Sequence, residues 1–364
     1  MFNFNKNKKF NILVVGANGM LGYDLVNQLK EKQLDKNSKV GVVVALGDDF
    51  DMTDINQLNK HFCKTNGITP IKYDFVVNCA ALTDTYKIEH DSNYQIKAFD
   101  VNVKSVDDLA KLCERYHTKL IHISTDYVYS QYSVDSAIPL ANNTILHAFH
   151  KNNATEYPIN TYGMQKLIAE DFIKKHMSKK NYAILRTSWL YGNHNHKSFV
   201  HKILLNFEKQ KQQHPDGKFV FDVTENEYSI PTSTRELVKM IMNVINYNLY
   251  GTFAACGHVD DLESVGHYAI SRFEFAKAII EAFYVDAIRC PDSVVFDQLN
   301  RIVRTDILNP TYSRMYNDDI DETTLKFLDG VSNEDTDWKK ELLDFMHMYR
   351  IDIGSWINEK LKEN

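Results

Sequence analysis

Short runs of apolar, largely β-branched residues alternate with longer amphipathic stretches over the first half of the chain. Continuous apolar runs are typical of strands buried on both faces, and the stretches between them predict helices. The predicted strands are Ile12–Val15, Val40–Leu46, Phe75–Cys79, Leu120–Ser124 and Tyr182–Arg186, and the predicted helices include Met20–Lys32 and Val101–Tyr116. Because right-handed crossovers place helices on both faces, this alternation predicts a doubly wound parallel α/β sheet of the Rossmann type.

The pattern changes after about residue 190, where helices predicted near 198–209, 233–247 and 271–284 alternate with weaker strand signals. We therefore expect a dinucleotide-binding domain over residues 1–190 and a smaller C-terminal α/β lobe over residues 191–364 that binds substrate. The lobe should be interleaved with the last elements of the sheet. The polar segment Ser130–Tyr157 predicts a long loop, and long loops without structure of their own are usually functional or mobile.

Composition narrows the class of protein. The 364 residues are 44% hydrophobic and 25% charged, which is typical of a globular chain with a sizeable core. A net charge of −6 and the lack of a long apolar run predict neither nucleic-acid binding nor a membrane span. The odd number of cysteines and their spacing predict a reducing cytoplasm and no metal site. His194 and His196 lack the neighbours that a metal site needs.

A glycine loop follows the first predicted strand and begins the first predicted helix. Gly16, Gly19 and Gly22 stand three residues apart, a spacing that lets the backbone approach a pyrophosphate at a helix N-terminus. Asp48 follows the second strand, where a carboxylate binds the adenosine ribose or simply caps a turn. These features predict a dinucleotide cofactor, NADPH or NADH.

Three polar side chains predict carbonyl chemistry. Tyr162 and Lys166 are four residues apart and share one face of a predicted helix, where the amine should lower the pKa of the phenol. Thr125 ends the fourth strand, at the sheet edge where ligands bind, and its hydroxyl can orient a substrate carbonyl. A tyrosine, a hydroxyl and a nicotinamide together predict an oxidoreductase in which Tyr162 transfers the proton.

In these motifs and several other segments the chain resembles the extended short-chain dehydrogenase/reductases, and among them the dTDP-4-dehydrorhamnose reductase family. The likeness runs from about residue 10 to about residue 350. The matching segments are Gly16–Gly22, Asn78–Thr83, Lys87–Glu89, Val101–Asn102, Ser124–Tyr129, Pro158–Gly163 with Lys166, Arg186–Gly192, Pro231–Thr232 and Asn309–Ser313.

The resemblance implies a role for individual residues, and it implies NAD(P)H-dependent reduction of the C4 ketone of a nucleotide-linked 4-keto-6-deoxy sugar. The catalytic set would be Thr125, Tyr162 and Lys166. The cofactor would be held by Gly16, Asn18, Gly19, Met20, Leu21, Asp51, Met52, Ala80, Ala81 and Thr83, together with Tyr162 and Lys166. The sugar nucleotide would face Thr85, Tyr127 and Trp189. A homodimer is a possible assembly.

Some residues depart from the family pattern. Tyr86 stands where Asp is usual, Gln165 where Ser or Thr is usual, and Cys79 in place of a small alanine. The segment between Tyr129 and Pro158 is longer than usual and borders the substrate. The identity of the nucleotide and of the sugar is therefore less firmly predicted than the reaction type.

Two other functions stay open at this point. A sugar-nucleotide dehydratase or epimerase has the same fold, but Tyr127 replaces the acidic residue found in dehydratases. The regulatory subunit of methionine adenosyltransferase also resembles the chain and acts as a binding partner without catalysis. An intact Thr125, Tyr162 and Lys166 set does not exclude the latter.

Overall fold

Six parallel strands form the central sheet of the protein in the computed structural model. The structure describes residues 9–63, 71–129, 156, 158–216, 219–256, 270–284, 299–302, 322–327, 329 and 338–363. The strands are β1 Phe10–Val15, β2 Val40–Leu46, β3 Phe75–Asn78, β4 Lys119–Thr125, β5 Tyr182–Thr187, β6 Leu190–Tyr191, β7 Phe221–Thr224, β8 Tyr228–Ser229, β9 Thr232–Ser233, β10 Gly251–Ala254, β11 Ile270–Ser271 and β12 Leu299–Ile302.

Helices cover both faces of this sheet and build the second half of the chain. They are α1 Met20–Leu34, α2 Ile55–Phe62, α3 Thr85–His90, α4 Ser92–Phe99, α5 Ser105–Arg115, α6 Thr161–His176, α7 Phe199–Gln213, α8 Thr234–Tyr247, α9 Arg272–Tyr284, α10 Glu322–Phe327 and α11 Trp338–Lys362. A π-helical turn, Asp100–Lys104, precedes α5, and a short 3₁₀ turn, Asp126–Val128, follows β4.

The order of strands in the sheet is β2-β1-β3-β4-β5-β10, and every neighbouring pair is parallel. The chain crosses from β1 to one side to form β2 and then to the other side to form β3. Ligands of such sheets bind where this reversal opens a crevice between the carboxyl ends of the strands. The predicted fold class, a doubly wound Rossmann sheet, is confirmed.

The strand residues alternate between two apolar cores. Ile12 and Val14 of β1 pack on one face with α1 and α8. Leu13 and Val15 pack on the other face with α2, α5 and α6. All four side chains are almost fully buried, as the continuous apolar run predicts for a strand covered on both faces.

The second half of the chain has a third core of its own, built around α7, α9 and α11. Tyr191, Phe275 and Phe345 lie at its centre, and short strand pairs flank it: β7 with β12, β8 with β11, and β6 with β9. The three helices predicted near 198–209, 233–247 and 271–284 are present as α7, α8 and α9. The division into domains at residues 190 and 191 stays a prediction, and β10 from the second part lies beside β5 in the main sheet.

The long polar segment lies almost entirely outside the described residues. Of Ser130–Tyr157 only Glu156 is described, and it forms a β-bridge with Tyr129. That this segment is a long functional or mobile loop therefore stays a prediction. Within the described parts of the chain, no helix combines the length and apolar character needed to cross a bilayer.

Candidate active site

The glycine loop is packed so tightly that side chains do not fit. Gly16 has φ +79°, and a Cβ there would lie 2.6 Å from the backbone nitrogen of Ala80 at the end of β3. A Cβ on Gly22 would lie 2.1 Å from the carbonyl oxygen of Gly16. The amide of Gly16 in turn donates to the carbonyl of Leu46 at the end of β2. The loop is therefore held against the ends of β2 and β3, the strands on either side of β1, and only glycine allows this approach.

The N-terminus of α1 emerges from this loop. Gly19 is the N-cap residue, no side chain caps the helix, and its first turn carries no acidic residue. The first amides of a helix lack intrahelical acceptors and carry a partial positive charge, which favours an anion. Leu21 is buried in the core, so only its backbone can serve a ligand, whereas Met20 is half-buried. The cradle fits a dinucleotide pyrophosphate.

Asn18 connects the loop with two other parts of the chain. The side-chain amide of Asn18 lies against Gly47, and a Cβ at position 47 would come within 2.4 Å of Oδ1 of Asn18. The backbone carbonyl of Asn18 accepts a hydrogen bond of 2.7 Å from Nδ2 of Asn195, which has a left-handed backbone with φ 67°. The turn 194–196 of the second half therefore contacts the predicted cofactor loop directly. Tyr23 and His194 stack beside it at 3.8 Å between ring centroids.

The segment after β2 carries the predicted adenosine contacts. Asp48 is exposed beside Gly47 and free to face a ribose. Asp51 accepts hydrogen bonds from the backbone and hydroxyl of Thr53, at 2.9 and 2.7 Å, and thus closes a turn. Met52 is buried in the core. The side chains of Asp51 and Met52 are therefore engaged in the fold, and their role in adenine binding stays a prediction.

Asn102 in the π-helical turn holds the backbone after β3 through hydrogen bonds to Leu82. Its amide accepts from the nitrogen of Leu82 and donates to the carbonyl of Leu82, both at 2.9 Å, and it also donates to Oε1 of Gln165 at 3.0 Å. Gln165 is a residue in which the sequence departs from its family, and here it completes this clamp. Ala80, Ala81 and Thr83 lie in the segment between β3 and α3 that these bonds hold, and Thr85 is the first residue of α3.

Tyr162 and Thr125 meet at the carboxyl edge of the sheet. Tyr162 lies in the first turn of α6, which Asn160 caps through a 2.7 Å bond to the amide of Gly163. The side chain of Thr125 neighbours the phenol of Tyr162 and lowers its pKa, against the larger effect of burial. Thr125 also donates to Oδ1 of Asp126 at 3.0 Å. A phenol thus lies beside the strand-end hydroxyl, as the sequence predicts.

The expectation that Lys166 lowers the pKa of Tyr162 is wrong for this structure. Burial, and then the negative charge of Asp126, raise the pKa of Tyr162, and the side chain of Thr125 opposes them. Lys166 points elsewhere: its Nζ lies 3.1 Å from Nε2 of His122 and donates to the carbonyl of Ile123 at 2.7 Å. Tyr162 is consequently a protonated phenol near neutral pH, which suits a proton donor.

Burial also changes the ionisation of the lysine. Lys166 is 1% exposed, and burial lowers its pKa to about 8, opposed by the negative charge of Glu170. His122, wholly buried beside it, has its pKa lowered by burial and by the charge of the lysine. The imidazole is therefore neutral across the physiological range of pH.

Aromatic residues line the side of the site that faces the second half. Tyr127 is buried, and its ring meets that of Tyr162 edge to face at 6.1 Å. Trp189 has a left-handed backbone with φ 37°, and its half-buried ring lies between Phe275, at 6.1 Å, and the guanidinium of Arg272, at 3.9 Å. The tryptophan is therefore partly core and partly surface.

Arg272 brings a positive charge to this group. Its side chain forms an ion pair with Glu227 at 3.4 Å and is 17% exposed. Its charge lowers the pKa of the neighbouring Tyr127, against the larger effect of burial. A guanidinium stacked on an aromatic ring keeps its donors available in the ring plane. Arg272 begins α9, far along the chain from Tyr127 and Trp189, and no sequence motif pointed to it.

A buried ion pair lies next to the ends of β4 and β5. Glu170 of α6 accepts from Nε and Nη2 of Arg186 at 3.0 and 2.5 Å, and from the hydroxyl of Ser124 at 2.6 Å. Arg186 also donates to Tyr129 and Glu156, which flank the undescribed segment. The pair joins α6, β4 and β5, and its contact with β4 is at Ser124, the residue before Thr125.

Sequence reasoning missed Asn78, His122, Asn102, Glu170 and Arg272 as parts of the site. One signal was available: His122 interrupts an otherwise apolar run in β4, and a buried imidazole needs partners. Within the described residues, no group of three or more His, Cys, Asp or Glu side chains could hold a metal ion.

The comparison with known proteins agrees with this arrangement. A protein-family profile described as RmlD substrate binding domain matches residues 10–350. The chain belongs to this family. The resemblance inferred from the motifs is thereby confirmed.

Two similar proteins are named as reductases. The dTDP-4-dehydrorhamnose reductase of Mycolicibacterium smegmatis is 28% identical over 278 residues, covering 76% of this chain and 70% of that protein. The dTDP-4-keto-6-deoxy-D-glucose reductase of Streptomyces niveus is 29% identical over 241 residues, covering 66% and 70%.

Solved structures share the fold along nearly the whole chain. The dTDP-4-dehydrorhamnose reductase of Bacillus anthracis, crystallised with NADP, superposes with a TM-score of 0.66 at 23% identity, covering 93% of this chain and 99% of that one. A UDP-glucose 4-epimerase from Thermotoga maritima superposes with a TM-score of 0.63 at 16% identity, covering 94% and 99%. At these identities the likeness shows the shared fold, which serves both reductases and epimerases.

Proposed function

We propose that the protein is an NAD(P)H-dependent oxidoreductase that reduces the C4 ketone of a nucleotide-linked 4-keto-6-deoxy sugar, converting dTDP-4-dehydrorhamnose to dTDP-L-rhamnose. One observation carries the proposal: Tyr162 and Thr125 are neighbours at the sheet edge onto which the glycine loop also opens. The names of the two relatives and the NADP in the Bacillus anthracis structure support the reaction class and the cofactor.

The proton of the reaction comes from Tyr162. The cofactor, when bound, supplies the hydride to the carbonyl carbon. The phenol of Tyr162 would donate its proton to the carbonyl oxygen. The hydroxyl of Thr125, once it turns from Oδ1 of Asp126, would donate a hydrogen bond to the same oxygen. Because the pKa of Tyr162 is raised, the proton is present at neutral pH and is released only to an oxygen that is gaining negative charge.

The glycine loop, the first turn of α1 and the segment Ala80–Thr83 hold the cofactor. At Gly16 and Gly22 a Cβ would overlap the backbone, and without side chains at these positions a pyrophosphate could approach the backbone amides of the loop. Lys166 would hold the nicotinamide ribose. The exposed carboxylate of Asp48 favours NADH, whereas the NADP of the related structure favours NADPH, and we propose that both are used.

Thr85, Tyr127 and Trp189 face the sugar nucleotide. The ring of Tyr127 lies against that of Tyr162, so a sugar in contact with it is close to the proton donor. Arg272 adds a cation on the side of the second half of the chain, where it can meet a diphosphate. These contacts favour a sugar linked to a nucleoside diphosphate over a free sugar.

The dehydratase alternative is less well supported. Elimination of water needs an acid beside Thr125, and the position of that acid is occupied by Tyr127, whose pKa is raised by burial. The neighbouring Asp126 already accepts from Thr125 and from Ser229, each at 3.0 Å. One-step reduction needs neither an extra acid nor a metal.

The test is turnover of defined sugar nucleotides. The purified protein is incubated with NADPH or NADH and with dTDP- or UDP-linked 4-keto-6-deoxy sugars, each with and without a 3,5-epimerase. We expect cofactor oxidation with the dTDP substrate and the epimerase, and a rhamnose product by NMR. The Tyr162→Phe variant is the matched control. If the wild type oxidises cofactor no faster than this variant on every substrate, the reductase proposal fails and a binding-subunit role takes its place.

We also propose a cytoplasmic location, no binding of nucleic acid, and a homodimeric assembly. The net charge of −6 supports the lack of nucleic-acid binding. The cysteines within the described residues, at positions 63, 79, 113 and 256, are free, which supports a cytoplasmic location. Light scattering of the purified protein across a range of concentrations would measure the assembly.

A further inference from the structure

A chain of buried polar groups connects the cofactor segment to Lys166. The amide of Ala80 donates to Oδ1 of Asn78 at 3.1 Å, and Nδ2 of Asn78 lies 3.2 Å from Nδ1 of His122. Nε2 of His122 lies 3.1 Å from Nζ of Lys166, which donates to the carbonyl of Ile123 at 2.7 Å. Asn78, His122 and Lys166 are each at most 1% exposed, so they must satisfy one another.

The donors along this chain do not match a charged lysine. A neutral imidazole has one N–H and one acceptor nitrogen, and an ammonium has donors only. If Nδ2 of Asn78 donates to Nδ1 of His122, the imidazole hydrogen is on Nε2 and faces Nζ. That contact is a hydrogen bond only if Lys166 is a neutral amine with a free lone pair.

Rotating the side-chain amide of Asn78 by 180° moves the donor–donor contact to another pair of groups and does not remove it. Its oxygen then accepts from Nδ1–H of His122, and Nε2 accepts from the ammonium of Lys166. The amide NH₂ group now faces the backbone N–H of Ala80, so two donors meet there instead. Only the neutral amine satisfies every group in the chain, and the ammonium leaves one donor–donor contact in either arrangement.

We propose that His122 is a positioning residue that couples the charge of Lys166 to the imidazole tautomer, with Nε2–H beside the neutral amine and Nδ1–H beside the ammonium. The net change between the two states is the loss of one proton from Lys166 to solvent and the transfer of the imidazole hydrogen from Nδ1 to Nε2. This inference rests on the proposed function only in treating Lys166 as part of the site. The charge that meets the cofactor ribose is then set from beneath the site.

Burial and the neighbouring charges agree with this coupling. Burial lowers the pKa of Lys166 to about 8, and Glu170, one turn along α6, raises it. Glu170 is itself neutralised by Arg186 of β5. Other charged groups that pack against α6 are engaged elsewhere: Glu89 of α3 accepts from the amide of Thr161, Asp126 acts on Tyr162, Asp107 of α5 pairs with His176, and Lys104 pairs with Asp100 in the π-helical turn.

The test is an NMR titration of the ligand-free protein. Long-range ¹H–¹⁵N spectra report which ring nitrogen of His122 carries the hydrogen, and the ¹³Cε resonance of Lys166, assigned by its absence in Lys166→Met, reports the charge. We expect the tautomer to change from Nδ1–H to Nε2–H with rising pH, at the same midpoint as Lys166. A lysine that titrates while the tautomer stays fixed overturns the proposal.

Two variants and an internal control sharpen the result. In Asn78→Asp both side-chain oxygens are acceptors, so His122 should remain Nδ1–H, and the midpoint of Lys166 should rise by about one pH unit or more, a tenfold change in proton affinity. His122→Gln has no tautomers, and its amide oxygen can accept from the ammonium, so the midpoint should also rise. His201 is equally buried but distant from Lys166, and its nitrogen signals should not follow the lysine.

The wild-type titration decides the question even if a variant fails to fold. An Nε2–H tautomer that persists in a folded Asn78→Asp protein would contradict the donor argument. The measurement needs neither cofactor nor substrate, so a negative turnover assay leaves its outcome unchanged. The functional consequence, weaker cofactor binding above the Lys166 midpoint, is measured separately by fluorescence titration with NADPH.

Discussion

Replacing Glu170 by alanine should destabilise the protein more than most single changes. The carboxylate is fully buried and accepts from Arg186 twice and from Ser124 once. In Glu170→Ala the guanidinium stays 3% exposed but loses its main counter-ion. Removing one partner of a buried ion pair costs about 3–5 kcal/mol, because the other charge is left uncompensated.

The structure places the expected value at the low end of that range. Arg186 keeps Glu156, which is 40% exposed, and the hydroxyl of Tyr129. We therefore expect a loss of about 3 kcal/mol for Glu170→Ala. Glu170→Gln retains one acceptor oxygen and the shape of the side chain, so its cost should be smaller, about 2 kcal/mol.

Urea unfolding followed by circular dichroism measures these differences. The matched control is Lys174→Met, which removes a partly exposed partner 3.3 Å from the same carboxylate and should cost less than about 1 kcal/mol. A Glu170→Ala loss no greater than that of the control would refute the reasoning and mean that Glu156 alone compensates Arg186.

The same ion pair predicts a dependence on pH. Burial would raise the pKa of Glu170, but Arg186, Lys174 and Ser124 together lower it below the ordinary glutamate value. A carboxylate with a lowered folded-state pKa contributes stability above its unfolded pKa, about 4.3, and loses it as the pH falls through the folded value. The difference between wild type and Glu170→Gln should therefore be constant near neutral pH and shrink below about pH 4.

Four further predictions concern the site and its supports. Tyr162→Phe should leave NADPH affinity unchanged and lower kcat by about 10²–10⁴, measured by stopped-flow and steady-state assays, since the variant lacks the proton. The kcat/KM values for NADPH and NADH should differ by less than about a hundredfold, or about 2.7 kcal/mol; a larger preference for NADPH would show that Asp48 does not read the ribose. Gly22→Ala should weaken NADPH binding and lower stability by about 1–3 kcal/mol, because its Cβ would overlap the carbonyl of Gly16 at 2.1 Å; unchanged binding would argue against the cradle. Burial raises the pKa of Glu236 to about 7, so the contribution of Glu236 to stability is greatest below about pH 4.5 and is lost as the pH rises toward 7. Glu236→Gln preserves the N-terminal cap of α8 and should therefore become more stable than the wild type as the pH is raised from 5 to 8, measured by urea unfolding.

The central sheet was predictable because each of its first five strands is mostly apolar. Val40–Leu46 matches its predicted bounds, and the bounds of the other four differ by one or two residues at an end. A buried parallel strand leaves a continuous run in the sequence, and that run needs no knowledge of its neighbours. The glycine loop was predictable for a similar reason, since its spacing reflects a local backbone requirement.

The partners of the site residues were not predictable in the same way. Lys166 and His122 are 44 positions apart, and they meet only because α6 packs on β4. The helical spacing placed Lys166 beside Tyr162, but spacing fixes the face of a helix and not the direction of a long side chain. Arg272 and Trp189 likewise meet only after the second half of the chain has folded back.

The strand order has a consequence for how the chain is made. β5 is buried along its whole length, yet its outer neighbour β10 is not synthesised until residues 251–254, after β6 to β9 and two helices. Until then the emerging chain carries an open apolar strand edge, of the kind that invites pairing with other chains. A ribosome-bound or truncated product ending near residue 190 should therefore depend on chaperones and aggregate without them. A product that extends just past residue 254 should have the edge of β5 covered by β10.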